Sequence, residues 1–159
     1  MTPPDAAVAV RSFPRRFREL LEAADNDSPG RARRTGPDGW SPADHAAGAA
    51  TALDEVAALL RQVAVSDEPI LEVPAAGGAS PSGATLDGAL AALEAASGNL
   101  ATAIDSVKGK DWERMGRDAA GQAWSALDVA RLGVHLGVHH LRAAARLLDD
   151  ISKDADRPE

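Results

Sequence analysis

No cysteine occurs in the 159 residues. That absence removes disulfides, thiolate catalysis and cysteine-bound zinc together. Tyrosine is missing too, and all aromatics make up only 3% of the chain. A core must therefore come from Leu, Val and Ala packed closely, and strand-favouring residues are scarce, which points to an all-α fold. Positive charge is in short supply, with 17 Lys and Arg against 24 Asp and Glu and a net charge of −7. Such a balance argues against a nucleic-acid surface, which needs clustered cations facing phosphates. The one basic run, Arg31, Arg33 and Arg34, sits among Ser, Pro and Gly and reads as a solvated loop. There is no apolar run at the N-terminus of signal-peptide type and none long enough to span a bilayer. The expectation is a cytoplasmic protein with no membrane partner.

What is present is 45% hydrophobic sequence in amphipathic stretches. The length suits one domain, placed at 1–152, with a charged tail at 153–159 expected to be disordered. A first helix is expected from about Ala7 to Ala24, or from Pro14 if that proline marks its first turn. The second opens at Ser41-Pro42-Ala43-Asp44: Ser at the N-cap, Pro at the first position and a carboxylate at the third. Leu53, Val56, Leu60 and Val63 continue it. A third runs from Thr85 to Val107 and a fourth from Ser125 to Ile151, with Ser125 and Asp128 as its cap. Residues 66–83 are rich in Pro and Gly and suit a crossover better than a hairpin; 111–122 read as another connection. Four amphipathic helices with one long crossover make a four-helix bundle.

Three of the four histidines, His135, His139 and His140, fall on the fourth helix. His135 and His139 are four apart, the spacing with which helices build metal sites. Helical geometry divides the group, because each residue turns about 100° from the last. Leu127, Val134, Val138, Leu141, Ala145 and Leu148 form one apolar stripe. Val129, Leu132, Leu136, Ala143 and Leu147 form a second. On one side between them lies a charged wedge of Asp128, Arg131, Arg142, Arg146 and Asp149, and His135 and His139 fall within it. His140 lies on the other side, beside Gly133, Gly137 and Ala144, where small residues admit a neighbour. On the second helix His45 falls on the inward face. His45 and His140 are thus the inward pair, one or two ligands short of a zinc or nickel site. Asp44 or a carboxylate of the third helix could complete one. The two stripes suggest burial by a second subunit, and a homodimer through helix faces follows as an expectation.

Three segments then carry a resemblance. Gly39-Trp40-Ser41-Pro42-Ala43-Asp44-His45 resembles the opening of the second helix in DinB-like proteins, the four-helix bundles related to mycothiol-dependent maleylpyruvate isomerases. Asp111-Trp112-Glu113-Arg114 with Gly116-Arg117 resembles the segment before their fourth helix, and Val138-His139-His140-Leu141 their double-histidine motif. Order and spacing match over residues 10–151. The resemblance implies a divalent metal held by a His eight residues after the motif Trp, a second ligand, and a His four residues beyond that. By position these fall on Gly48, Leu136 and His140, and His140 alone has a ligand side chain. A shift of one residue would match His135 and His139 instead. The expectation is a protein that has lost the three-ligand site and acts as a small-molecule-binding or interaction protein, with a candidate pocket of Trp40, His45, Gly48, Leu136 and His140. The alternative is a metal-dependent thiol (mycothiol-type) transferase or isomerase with a zinc or nickel site rearranged among His45, His140, His135 and His139. No Gly-x-Ser-x-Gly elbow is present, and the Gly-rich run 75–83 lacks the Lys of a phosphate loop.

Overall fold

Each long helix begins at a side-chain cap. In the computed structural model, which describes residues 1–76 and 81–156, α1 (Pro3–Asp27) starts after Thr2, α2 (Pro42–Val65) after Ser41, α3 (Leu86–Ser106) after Thr85 and α4 (Ala126–Ala155) after Ser125. Three of the four caps are reciprocal boxes, pairing Thr2 with Asp5, Ser41 with Asp44 and Ser125 with Asp128. In each the hydroxyl accepts from the third backbone N–H while the carboxylate reaches back to the cap N–H, so two otherwise unpaired donors are satisfied.

The expected starts of α2, α3 and α4 agree with the structure, and α1 differs. It begins at Pro3, and Pro14 lies inside it without ending it. Pro3 and Pro4 occupy the first turn, where no N–H is needed. Ala6, Val10, Phe13, Phe17 and Leu21, all fully buried, hold the helix to the bundle on both sides of Pro14. Part of the segment expected as a tail is helical. Helix α4 continues through Ala155, with Ile151 buried, so Lys153 is helical rather than disordered. The parts of the crossover and tail at 77–80 and 157–159 lie outside the described residues.

Helix directions follow from the pairs that meet. Arg11 joins Asp105 and Arg18 joins Glu94, so α1 and α3 are antiparallel. Asp44 meets Ala84 near both helix starts while Arg61 meets Asn99 farther along, so α2 and α3 are parallel. His45 meets His140 and Val56 meets Gly133, so α4 runs against α2. Met1 meets Arg131 and Phe13 meets Gly137, so α1 and α4 run the same way. The order around the bundle is α1, α3, α2, α4, with α1 and α2 on a diagonal. Parallel α2 and α3 require the chain to return the full length of the bundle, which is the work of the long 66–85 crossover. The fold is an all-α four-helix bundle with a long crossover connection.

The two connections also form a small sheet that periodicity did not reveal. Strands β1 (Ile70–Leu71), β2 (Met115–Asp118) and β3 (Ala123–Ser125) lie in that order, β1 parallel and β3 antiparallel to β2. Segments of two to four residues are too short to show an alternation. Arg114, ahead of β2, donates to the carbonyls of Val63 and Ser66 at 3.3 and 3.0 Å, placing a cation on the unpaired C-terminus of α2.

The buried face of α4 is centred on the lane of small residues rather than on either stripe. A Cβ at Gly137 would stand 2.3 Å from Phe13 Cε2, and one at Gly133 would stand 2.7 Å from Leu100 Cδ2 and 3.1 Å from Val56 Cγ1. Side chains of the three other helices therefore insert into this lane. Val129, Leu136, Val134, Leu141 and Leu148 on its two sides are buried by the same contact. One wide face thus covers part of both stripes within a single chain, while Leu127, Leu132, Val138 and Leu147 stay half-buried.

Candidate functional site

The inward histidines meet at the end of the bundle where α2 starts. A tight turn precedes them. The Gly36 N–H donates to the Trp40 carbonyl at 2.8 Å, and the Gly39 N–H donates to Gly36 at 3.0 Å. Gly39 has φ +84°, a left-handed conformation in which a side chain is disfavoured. Asp38 accepts from the Trp40 N–H at 3.0 Å. The turn sets the Trp40 indole over the first turn of α2, where it stacks on His45 with ring centres 4.8 Å apart and planes at 21°.

His140 comes from the facing helix, and its Nδ1 lies 3.3 Å from Nδ1 of His45. Its ring also fills the space over Gly48. A Cβ there would be 2.9 Å from His140 Cε1 and 3.2 Å from Trp40 Cζ3. His140 is 3% exposed, whereas His45 and Trp40 are half-buried at the rim. Burial, reinforced by the neighbouring His45 and His139, pushes the His140 imidazole down to about 4. His45 is also lowered, chiefly by burial, against the opposing pull of the Asp38 and Asp44 carboxylates. Both rings are neutral near pH 7. A neutral pair joined through Nδ1 has one donor and one acceptor, and the donor ring is left with a bare Nε2 that can accept from a ligand.

The other expected residues fall as follows. His135 and His139 are exposed, in the charged wedge with Arg131, Arg142, Arg146 and Asp149. His139 nevertheless touches the site, its ring edge-on to His140 at 5.3 Å between centres, a contact that helix angles alone do not reveal. Leu136 is 1% exposed and belongs to the apolar core. Asp44, considered as a ligand, is committed elsewhere. One oxygen accepts from the Ser41 N–H and hydroxyl at 2.9 and 2.8 Å, the other from the Ser82 and Ala84 N–H groups at 3.1 Å each. Its burial alone would raise the carboxyl, but these hydrogen bonds outweigh it and hold the group below its ordinary value. It is a buried anchor joining the start of α2 to the end of the crossover.

The residues present do not fit the metal that the resemblance implies. Gly48 and Leu136 offer no donor, and among the described residues no three His, Cys, Asp or Glu side chains converge. Also among the described residues, no helix is long and apolar enough to cross a membrane.

No protein-family model matches the chain, and no curated protein matches it. Among solved structures it is similar to YfiT from Bacillus subtilis, described as a probable metal-dependent hydrolase with an unusual four-helix bundle topology. The similarity covers 94% of this chain and 87% of that one, with a TM-score of 0.72 and 13% sequence identity. At that identity the likeness extends to the fold: the chain shares its four-helix architecture with YfiT over nearly its whole length.

Proposed function

We propose that this bundle has lost a three-ligand metal site and acts as a small-molecule-binding or interaction protein centred on Trp40, His45 and His140. The observation that carries this is the filled space at Gly48. Where a ligand side chain would enter, the ring of His140 lies instead, within 2.9 Å of any added Cβ. Nearby, Leu136 gives the core an apolar side chain. The ligand class that suits the remainder is a small, flat molecule with a hydrogen-bond donor. It would stack at the half-buried rim of Trp40 and His45 and donate to a bare imidazole nitrogen. A cytoplasmic setting is part of this proposal.

A second reading has one specific observation in its favour. Two ligands on a tetrahedral zinc, with bonds of about 2.0–2.1 Å, stand about 3.3 Å apart. The His45 and His140 Nδ1 atoms stand at 3.3 Å. A rearranged site would then use these two nitrogens for a metal-dependent hydrolase, as YfiT is described, or a thiol transferase. Two protein ligands fall short of a stable zinc or nickel site, which favours the first reading.

Elemental analysis of purified protein separates them. The first expects zinc and nickel well below one equivalent per chain, unchanged in His140→Ala. About one equivalent, lost in His140→Ala, would overturn it. Thermal-shift screening against aromatic and heteroaromatic compounds then tests binding, with stabilisation by a hit expected to disappear in Trp40→Ala.

A further inference from the structure

The turn that carries Trp40 lies along α4. A Cβ at Gly36 would stand 2.6 Å from Leu147 Cδ1, so the turn meets α4 about two helical turns beyond His140. Next to His140 and Leu147 on the helix surface come His139, Ala143 and Arg146, spaced i, i+4 and i+7 on one face. The His139 ring stands edge-on to His140 at 5.3 Å. Ala143 is small and half-buried, so no long side chain separates the residues on either side of it. Arg146 is exposed. Side chains on a helix lean toward its N-terminus, which brings the Arg146 guanidinium within reach of the turn that holds His139 and Ala143.

Charge is divided across this rim. Arg146 forms no ion pair or hydrogen bond among the described residues, whereas Arg11, Arg18, Arg31 and Arg114 each meet a carboxylate. The two carboxylates that act on His45 are Asp38 and Asp44. Both belong to the turn and the start of α2, where Asp38 accepts the Trp40 N–H and Asp44 is taken up within the bundle. Asp149 and Asp150 lie one turn beyond Arg146, on the side away from His139, and Asp150 pairs with Lys153 at 3.8 Å. The turn side of the rim is therefore acidic and its α4 side basic, which directs an anionic group to α4.

We infer that the ligand of the histidine rim is an aromatic carboxylic acid, its ring at Trp40 and His45 and its carboxylate held by the Arg146 guanidinium and a ring N–H of His139. This rests on the proposal that a small, flat, donor-bearing molecule binds at the rim, and adds the charge of that molecule. A guanidinium fork and an imidazole N–H together offer donors to both carboxylate oxygens. The 5.3 Å between the His139 and His140 ring centres lies within the span of a single aromatic ring with a substituent at each end. One molecule can thus donate to the histidine pair through one substituent and reach His139 and Arg146 through the other. Arg142 takes no part. It lies on the flank of α4 that faces α1, about 20° from Arg131, whose side chain reaches the Met1 carbonyl.

The test is titration of isotope-labelled protein with para-hydroxybenzoate and with its uncharged counterpart para-hydroxybenzamide, at constant ionic strength, followed by amide and indole N–H shifts. Both should give saturable shifts at Trp40 and His45, and the acid should bind about tenfold more tightly, the worth of one charge-assisted hydrogen bond. Arg146→Gln should bring the acid down to the level of the amide and leave the amide unchanged. Arg142→Gln removes the same charge from the far flank and should weaken the acid by less than about twofold, since exposed charges at a distance are screened. Both arginines are exposed, so neither variant should lose the fold. Equal binding of acid and amide overturns the assignment of charge and leaves the rim as a binding site. So does an Arg146→Gln variant that still prefers the acid, or an equal loss in Arg142→Gln, which would mark diffuse attraction of anions. If neither compound binds, the assignment and the proposed binding at the rim fall together.

Discussion

Gly48 and Gly98 are both interior helix glycines, and the structure assigns them opposite roles. Glycine inside a helix ordinarily costs up to about 1 kcal/mol relative to alanine. At Gly98 the space is open, so Gly98→Ala should stabilise by about 0.5–1 kcal/mol in urea unfolding. At Gly48 the added methyl meets His140 at 2.9 Å and Trp40 at 3.2 Å, and overpacking of that kind costs about 1–3 kcal/mol. The net expectation for Gly48→Ala is a loss of about 1 kcal/mol, with a change in Trp40 fluorescence because its ring must give way. The histidine pair carries a pH dependence with a definite sign. Both imidazoles are held neutral, below the ordinary 6.5, and the unfolded chain therefore binds more protons than the folded one as pH falls. Their stabilisation is complete above 6.5 and is lost as pH drops from there towards the His140 value of about 4. For His140 alone the full loss is about 3 kcal/mol. Denaturant midpoints measured between pH 7.5 and 4.5 should fall accordingly, and His140→Leu should fold and flatten most of that slope. An unchanged slope in His140→Leu would place the titrating group elsewhere.

At the level of elements, Asp44 does more than its position in a capping box announces. The sequence Ser41-Pro42-Ala43-Asp44 shows a helix start and correctly places one carboxylate oxygen, because capping is local and needs only neighbours within four residues. The second oxygen binds Ser82 and Ala84, across the crossover, and no local pattern predicts that. Asp128 offers the contrast: its box resembles that of Asp44, but it is half-buried and, among the described residues, joins no second segment through backbone N–H groups. Asp44→Asn should therefore cost about 1–3 kcal/mol, as a buried group loses its charge-assisted partners, while Asp128→Asn costs less than about 1 kcal/mol. Hydrogen exchange at the Ala84 amide should speed up in Asp44→Asn and stay unchanged in Asp128→Asn. The same division between local and distant cause explains what else was legible. His140 inside and His135 and His139 outside follow from helix angles, and so does the inward placement of His45. The stacking of Trp40 on His45 depends on the Gly36–Gly39 turn, which no helix angle predicts. Pro14 misled because a proline inside a helix is tolerated when buried side chains on both sides hold the helix in place.

For the whole molecule, directions matter more than helix count. With α1 and α4 running one way and α2 and α3 the other, only the 66–85 connection must traverse the bundle, and its length was the clue that the sequence offered. The bundle has few aromatic side chains with which to fill its centre, and it closes the gap with the Gly133, Gly137 and Ala144 lane of α4, into which Phe13, Val56 and Leu100 project. This arrangement bears directly on self-association. A dimer built on α4 would have only the half-buried Leu127, Leu132, Val138 and Leu147 to use, because Val129, Leu136, Val134, Leu141 and Leu148 are buried within the chain. The large apolar side chains that stay exposed among the described residues are Met1 and Val8 at the start of α1, and Val65, Ile70 and Met115 near the small sheet. None of these forms a stripe along a helix, and a stable interface needs about 800 Å² per partner. Light scattering at micromolar concentration should accordingly give the mass of one chain. A doubled mass would have to come from the sheet end, and Ile70→Ser with Val65→Ser should then abolish it. A dimer indifferent to both changes would mean that α4 opens to receive its partner, and amide exchange along Val134–Leu148 would then be faster in the free chain than its burial allows.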